Sequence, residues 1–158
     1  MVKKSNKEFV IHNKSDKPDN IVAKENEITL ECEEIQSQLP NFLRSFFVYL
    51  KGNVLPMSRL AYLRDIKAFF TYLISETDLS GAGDVKNVTS KEVDAVKAMD
   101  INLYLDYCRR YRMETEKNVT IYENQNKTLA RKKSSLSVMF KQLYRDEIVS
   151  RNITDGFD

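Results

Sequence analysis

The segment between Asn124 and Arg145 carries six positive charges and no Asp or Glu. These cations are Lys127, Arg131, Lys132, Lys133, Lys141 and Arg145. Apolar residues recur in the same segment at helical spacing, at Leu129, Leu136, Met139, Phe140 and Leu143. The pattern predicts an amphipathic helix over residues 127–148. Its apolar face would pack against a protein core, and its remaining, cationic surface would bind an anion. In a modestly basic chain, such a surface favours nucleic acid as the large anion.

The candidate DNA-binding residues combine cations with hydroxyl side chains, which can donate hydrogen bonds to phosphates. On the basic helix they are Lys127, Thr128, Arg131, Lys132, Ser134 and Ser135. Ser134 and Ser135 are among those expected mainly opposite the apolar stripe. A second set begins a helix predicted over residues 58–76 and comprises Ser58, Arg59, Tyr62, Arg64 and Lys67. Two helices with matching surfaces could grip one duplex, although the sequence does not place them side by side.

Groups that could carry catalysis or hold a metal are scarce. The single histidine, His12, lies in a polar segment, so no Ser–His or Cys–His nucleophile pair is expected. Cys32 and Cys108 are far apart in sequence, and the carboxylates show no metal-ligand spacing. We therefore predict no catalytic residues, no metal, no cofactor and reduced thiols in an intracellular protein. Neither a signal peptide nor a membrane span is expected, because no apolar run is long enough.

The helical patterns follow a polar start. Residues 1–27 are polar and unpatterned, which predicts a flexible N-terminal tail. Main helices are predicted over residues 28–39, 41–51, 58–76 and 127–148, with shorter ones after Thr89 and Asp100. Thr89 and Glu92 match a capping box, and residues 119–122 are a candidate short strand. The predicted fold class is all-α, with four main helices and one or two short extra helices.

Two of these helices resemble a known family, the tyrosine recombinases or phage integrases. The segment from Ser58 through Tyr62 and Asp65 to Leu73 resembles that family's Thr-x3-Tyr-x2-Asp-Leu helix. The segment from Thr128 to Leu143 resembles its Thr-x2-Arg-x2-Ser-Ala-Leu-x2-Phe-Phe helix. Residues 41–50, 84–105 and 148–153 fit the opening helix, the third helix and the exit of the same domain, so the resemblance spans roughly residues 38–153 in order. Lys132 and Lys133 depart from it, because relatives often place apolar residues there, and so does Ile153, which stands for a proline.

This resemblance implies the N-terminal core-binding domain of a recombinase, a small orthogonal, SAM-like helical bundle that clamps DNA opposite a catalytic domain. On this basis residues 28–153 form the DNA-binding domain, and residues 154–158 begin a linker to a catalytic domain outside this chain. The family's catalytic residues belong to that following domain, so this chain is expected to bind double-stranded DNA and not to cut it. The implied partners are double-stranded DNA and other recombinase protomers assembled on it. A monomer is expected without DNA, in the cytoplasm and associated with the nucleoid.

A different reading of the basic helix is a helical protein–protein interaction domain that binds an acidic partner. Salt would weaken either interaction, whereas competition with duplex DNA separates the two readings. A metal- or nucleotide-dependent enzyme is the third reading, and a ligand-induced shift in melting temperature would test it.

Overall fold

The computed structural model describes residues 12–156, which contain six α-helices and a two-stranded antiparallel sheet. In chain order the elements are α1 (Asp19–Ser37), α2 (Arg44–Asn53), α3 (Pro56–Ser75), α4 (Ser90–Asp94), α5 (Ala98–Arg109), β1 (Arg110–Glu114), β2 (Val119–Glu123) and α6 (Asn126–Arg145), with 3₁₀ turns at Asn41–Leu43 and Val85–Asn87. The chain is mostly helical, as predicted, but the sheet means that it is not strictly all-α. No helix in the described part of the chain is both long and apolar enough to cross a membrane.

The first helix begins well before the predicted start at Ile28. α1 starts at Asp19, directly after Pro18, whose extended backbone (φ −56°, ψ 146°) ends the preceding segment. Residues 19–27, predicted as part of a flexible tail, are therefore helical, whereas residues 1–11 of that tail lie outside the described residues. Cys32 is the only completely buried residue of α1. The sequence of this helix therefore has no continuous apolar stripe from which its start could be predicted. An acidic residue in the first turn, Asp19, favours the helix start electrostatically.

Helix α3 lies between α1 and α6 and supplies much of the core. It begins at Pro56, two residues before the predicted start at Ser58, because proline suits the first helical turn, where its missing N–H costs nothing. The Phe69 ring contacts the rings of Tyr104 and Phe140 edge-on, with centroid distances of 5.1 and 6.4 Å. These rings are buried and join α3 to α5 and α6.

The predicted capping box at the start of α4 is confirmed. The Thr89 hydroxyl accepts the Glu92 N–H (3.1 Å), and the Glu92 carboxylate accepts the Thr89 N–H (2.9 Å). The same carboxylate also accepts the N–H of Gly81 (2.9 Å), so it fixes the preceding loop as well. Asp100, expected as the N-cap of the next helix, lies three residues inside α5, where it accepts the N–H of Lys97 (2.8 Å).

A β-hairpin projects between α5 and α6. The predicted strand over residues 119–122 is confirmed as β2, and its partner β1 was not predicted. Tyr111 pairs with Tyr122 across the hairpin, and their rings stack with centroids 4.9 Å apart. Tyr111 in turn stacks on Tyr107 of α5 (5.3 Å), and Tyr107 contacts Tyr72 of α3 (5.1 Å). This row of tyrosines joins the exposed hairpin to the helical body.

The chain after α6 folds back on the helices. Glu147 adopts a positive φ of 59°, after which the Ile148 N–H donates to the Leu143 carbonyl (2.9 Å). The backbone N–H and the hydroxyl of Ser150 both donate to Asp94 of α4, at 2.9 Å each. Thr154, where the predicted linker begins, is buried, and residues 157–158 of that linker lie outside the described residues.

Candidate nucleic-acid interface

Asp65 of α3 lies at the contact between α3 and α6, with only 3% of its side chain exposed. Arg131 donates to this carboxylate twice, from Nε to Oδ2 (3.2 Å) and from Nη2 to Oδ1 (2.9 Å). The Ser135 hydroxyl donates to Oδ2 at 2.7 Å. A buried carboxylate is tolerated only with such partners, so this cluster fixes α6 against α3. The two helices that carry the predicted DNA-binding residues are therefore neighbours.

Arg131 is held at one edge and exposed at the other. A guanidinium has five N–H donors in a rigid plane, and Asp65 occupies two of them along the Nε–Nη2 edge. The side chain remains 52% exposed. Its three remaining N–H groups are thus presented by a side chain whose orientation is already fixed. A preorganised guanidinium of this kind suits the bidentate recognition of a phosphate or of a guanine edge.

Lys132 is a cation at a position where tyrosine recombinases, the family that the sequence resembles, often have an apolar residue. Its side chain is 14% exposed, and its ammonium lies 3.7 Å from Asp65 Oδ1. The alkyl chain is therefore packed among neighbours while the charge lies beside a carboxylate, the usual arrangement for a largely buried lysine. Lys132 consequently adds charge near the α3–α6 contact and is not a fully solvated cation.

The expected exposure of two predicted site residues is wrong. Ser135, expected opposite the apolar stripe, is completely buried, because its short hydroxyl fits between the helices and donates to Asp65. Arg59 is also buried, because α1 covers the start of α3 and the Arg59 Nη2 donates to Gln36 Oε1 (3.0 Å). Neither side chain can reach a DNA surface directly in this arrangement.

Two further cations of α3 are tied to α1. Arg64 Nη2 lies 3.3 Å from Glu31 Oε2, and Lys67 donates to the side-chain carbonyl of Gln38. The Arg64–Glu31 pair is exposed on both sides, so it stabilises the fold only slightly and remains free to exchange partners. Both cations therefore lie on the flank of α3 that faces α1.

By helical spacing, the remaining predicted residues lie on the sides of α3 and α6 that carry Asp65 and Arg131. Ser58 and Tyr62 precede Asp65 by helical spacings and share its side of α3, as Lys127, Thr128 and Ser134 share the side of α6 that carries Arg131. Ser58, Lys127 and Ser134 are exposed, whereas Tyr62 and Thr128 are half-buried. We call the set Ser58, Tyr62, Lys127, Thr128, Arg131 and Ser134 the two-helix face. No side chain caps the N-terminus of α6, which begins at this face.

The residue that organises this face, Asp65, was not among the predicted site residues. The sequence did contain a signal for it, since Asp65 stands between Leu63 and Ile66 in the apolar stripe of α3. A carboxylate at a core-facing position needs buried donors. Which helix supplies those donors is not encoded locally, because Arg131 and Ser135 lie far along the chain.

Two buried groups of α5, the Cys108 thiol and the Tyr104 hydroxyl, favour their neutral forms. Both cysteines, Cys32 of α1 and Cys108 of α5, are free and buried. Burial raises the pKa of the Cys108 thiol and that of the Tyr104 hydroxyl, because the surroundings penalise the charged forms. A thiol in such an environment is a poor nucleophile.

In the described residues, no group of three or more His, Cys, Asp and Glu side chains is placed to hold a metal ion. Comparisons of the chain with protein-family models, curated proteins and solved structures give no match.

Proposed function

We propose that this chain is a DNA-binding domain of the recombinase core-binding type, which clamps duplex DNA through the two-helix face. The observation that carries the proposal is the fixed, half-exposed Arg131 at the contact of two helices that both bear hydroxyls and cations. The order of motifs that resembles the tyrosine recombinases supports the same function. The corresponding arrangement is a small orthogonal bundle built mainly from α2, α3, α5 and α6.

The residues of the two-helix face have different roles in this proposal. Exposed Lys127 neutralises phosphate charge and gives affinity without sequence preference. Ser58 and Ser134 donate hydrogen bonds to phosphate oxygens and set the register of the domain on the duplex. Arg131 binds a phosphate or reads a base edge with its free donors, because Asp65 holds it in one orientation. Arg59 and Ser135 act indirectly, by holding α1 and α6 on α3.

In a full-length recombinase this domain would grip the recombination site while a separate catalytic domain carries out strand exchange. The chain itself would bind DNA without cutting it, and other protomers would join it on the DNA. An acidic protein partner is the competing proposal for the same face. Duplex DNA separates the two proposals, because it should bind a DNA-binding domain and should leave the complex with an acidic protein partner unaffected.

The test is a fluorescence-anisotropy titration of labelled duplex DNA at several salt concentrations. We expect the logarithm of the binding constant to fall linearly with the logarithm of salt, and each lost phosphate contact to reduce the slope by about 0.9. Replacing Lys127, Arg131 and Lys132 together by Ala should abolish binding. The matched control replaces Lys51, Lys91 and Arg151, three exposed cations outside α3 and α6, and should lose much less affinity.

Thermal melts of both triple variants separate loss of contact from loss of fold. The proposal would be overturned if the Lys127, Arg131 and Lys132 triple-Ala variant is folded and binds DNA as tightly as the Lys51, Lys91 and Arg151 control. The same conclusion would follow if the unmodified chain gave no anisotropy change even at the lowest salt concentration.

A further inference from the structure

An open groove of about 580 Å³ separates the hairpin from the helical body. Its walls come from α3, α5, β1 and α6, and include Tyr72, Tyr104, Tyr107, Met113 and Lys132. The volume is in the range of small-molecule sites. A duplex is far too wide to enter it, so the groove is distinct from the two-helix face.

Two hydrogen-bond donors that border the groove lack acceptors of normal geometry. Tyr104 is 2% exposed, and its hydroxyl has no hydrogen-bond partner that meets normal geometry in the described residues. Its polar neighbour is the Cys108 thiol, which is only a weak hydrogen-bonding group. The Lys132 ammonium has three donors, and its nearest carboxylate oxygen, at 3.7 Å, is beyond hydrogen-bonding distance. Buried hydrogen-bond donors normally have acceptors. These two donors therefore suit a ligand that carries several acceptor oxygens.

The local charge also calls for an anion. Asp65 supplies one negative charge to the cluster, whereas Arg131 and Lys132 supply two positive charges. Arg131 occupies the carboxylate with two hydrogen bonds and Ser135 with a third, so the charge of Lys132 is not fully compensated. Two more cations, Arg64 and Lys67, line the groove. Glu31 of α1 pairs with Arg64, but no Asp or Glu lines the groove itself in the described part of the chain.

Another part of the lining is aromatic and is held in place by ring contacts before any ligand binds. Tyr107 is packed between Tyr72 and Tyr111, with centroid distances of 5.1 and 5.3 Å. Met113 adds a half-exposed thioether side chain to this wall. Tyrosine edges and a polarisable thioether form an apolar surface that suits a planar ring.

We propose that this groove binds a small organic anion in which a carboxylate or phosphate is joined to a planar ring. The anionic group accepts hydrogen bonds from the Lys132 ammonium and, once a small displacement of the groove lining exposes it, from the buried Tyr104 hydroxyl. The ring lies against Tyr72, Tyr107 and Met113. This site shares Lys132 with the residues replaced in the DNA-binding test but shares none with the two-helix face, so a ligand can occupy the groove whether or not that face binds DNA.

The test is an NMR titration of the ¹⁵N-labelled full chain with three probes: benzoate, adenosine 5′-monophosphate and inorganic phosphate. We expect benzoate or the nucleotide to shift amide signals of α5, β1 and the first half of α6 in a saturable way. The responding probe identifies the anionic group as carboxylate or phosphate. Inorganic phosphate alone should bind at least tenfold more weakly, because it cannot use the aromatic wall.

Two variants and one control locate the site. Tyr104→Phe removes only the hydroxyl and Lys132→Met removes only the charge, so each should weaken binding several-fold. Lys141→Met, an exposed residue of the same helix that does not line the groove, should have no effect. Absence of saturable shifts with both ring-bearing probes would overturn the proposal. Shifts that survive in both folded variants would overturn it as well, as would equal affinity for inorganic phosphate.

Discussion

Arg131 and Asp65, 66 residues apart in the chain, are joined by two hydrogen bonds of 3.2 and 2.9 Å that couple α6 to α3. The carboxylate is buried, whereas the guanidinium is half-exposed. The contact therefore has two consequences: it stabilises the packing of two helices, and it fixes a cation at the surface. The predictions below separate these consequences and test the elements that support them.

Asp65→Asn should weaken DNA binding although it removes a negative charge near the proposed interface. The amide can no longer hold Arg131 and Ser135 together, so Arg131 loses its fixed orientation. We expect the free energy of unfolding to fall by about 1–3 kcal/mol, the cost of unsatisfied buried groups. Anisotropy titrations of the folded variant measure the affinity. The control Glu33→Gln removes an equal charge from an exposed site of α1 and should bind slightly more tightly or unchanged. Tighter binding by Asp65→Asn would show that only net charge matters.

Phe140→Ala should destabilise the fold strongly. The ring is buried and lies edge-on to Phe69, so truncation leaves a cavity at the junction of α3 and α6. The expected loss is about 3–5 kcal/mol in the free energy of unfolding, measured by urea denaturation. Tyr144→Ala, at a half-exposed position one turn further along α6, should cost far less. Similar losses at both positions would contradict the assigned core.

Glu92 should make stability depend on acid pH. Its pKa is lowered from the usual 4.5, first because the carboxylate accepts the Thr89 N–H and also because it accepts the Gly81 N–H. A lowered folded-state pKa stabilises the fold above the unfolded-state pKa, and this contribution is lost as pH falls through the folded-state pKa. At neutral pH, Glu92→Gln should cost about 0.5–1.5 kcal/mol, the net worth of one hydrogen bond, because the amide keeps one acceptor oxygen for the capping box and loses the second. The difference from wild type should shrink as the pH is lowered past 4.5, as followed by urea denaturation at a series of pH values. A difference that stays constant with pH would contradict this role.

The helical body should fold without the hairpin. Most hairpin residues are exposed, and none is fully buried. Replacing residues 110–123 by a short Gly/Ser linker should therefore preserve the helical circular-dichroism signal and cooperative melting. It should abolish anion binding in the groove, since β1 forms one wall, and leave DNA binding by the two-helix face. Loss of cooperative unfolding would show that the tyrosine row contributes to the core.

Glu147→Gly should stabilise the protein slightly. Glu147 has a φ of 59°, a left-handed conformation that costs L-residues roughly 1–2 kcal/mol and glycine very little. Glycine also loses more backbone freedom on folding, so we expect a net gain of about 0.5–1 kcal/mol by thermal denaturation. Asp146→Gly provides the comparison, because its φ of −88° gives glycine no advantage. Stabilisation by both substitutions, or by neither, would contradict this explanation.

Helices with a strong apolar stripe or a local cap were predictable from sequence, and those that depend on distant packing were less so. The periodicity of α3 and α6 placed both helices within a few residues of their true ends, and the Thr89 and Glu92 pair located α4. The N-terminal half of α1 was missed because its side chains face solvent and give no stripe. β1 was missed because its alternation is weak, and it becomes a strand only by pairing with β2 and stacking Tyr111 between Tyr107 and Tyr122.

The sequence by itself determined the helical character, the cationic surface of α6 and the hydroxyl-bearing start of α3, because spacing and charge are local properties of the chain. The sequence could not show which polar side chains face outward, because in an isolated helix Arg59 and Ser135 would be as exposed as Lys127. On α6 the tertiary structure decided this by burying Asp65 of α3. The buried carboxylate is contacted by Arg131, Lys132 and Ser135, which lie on a helix distant in sequence. The tertiary structure also decided the position of the hairpin, and with it the groove, because the ring contacts from Tyr111 through Tyr107 to Tyr72 join residues of three different elements.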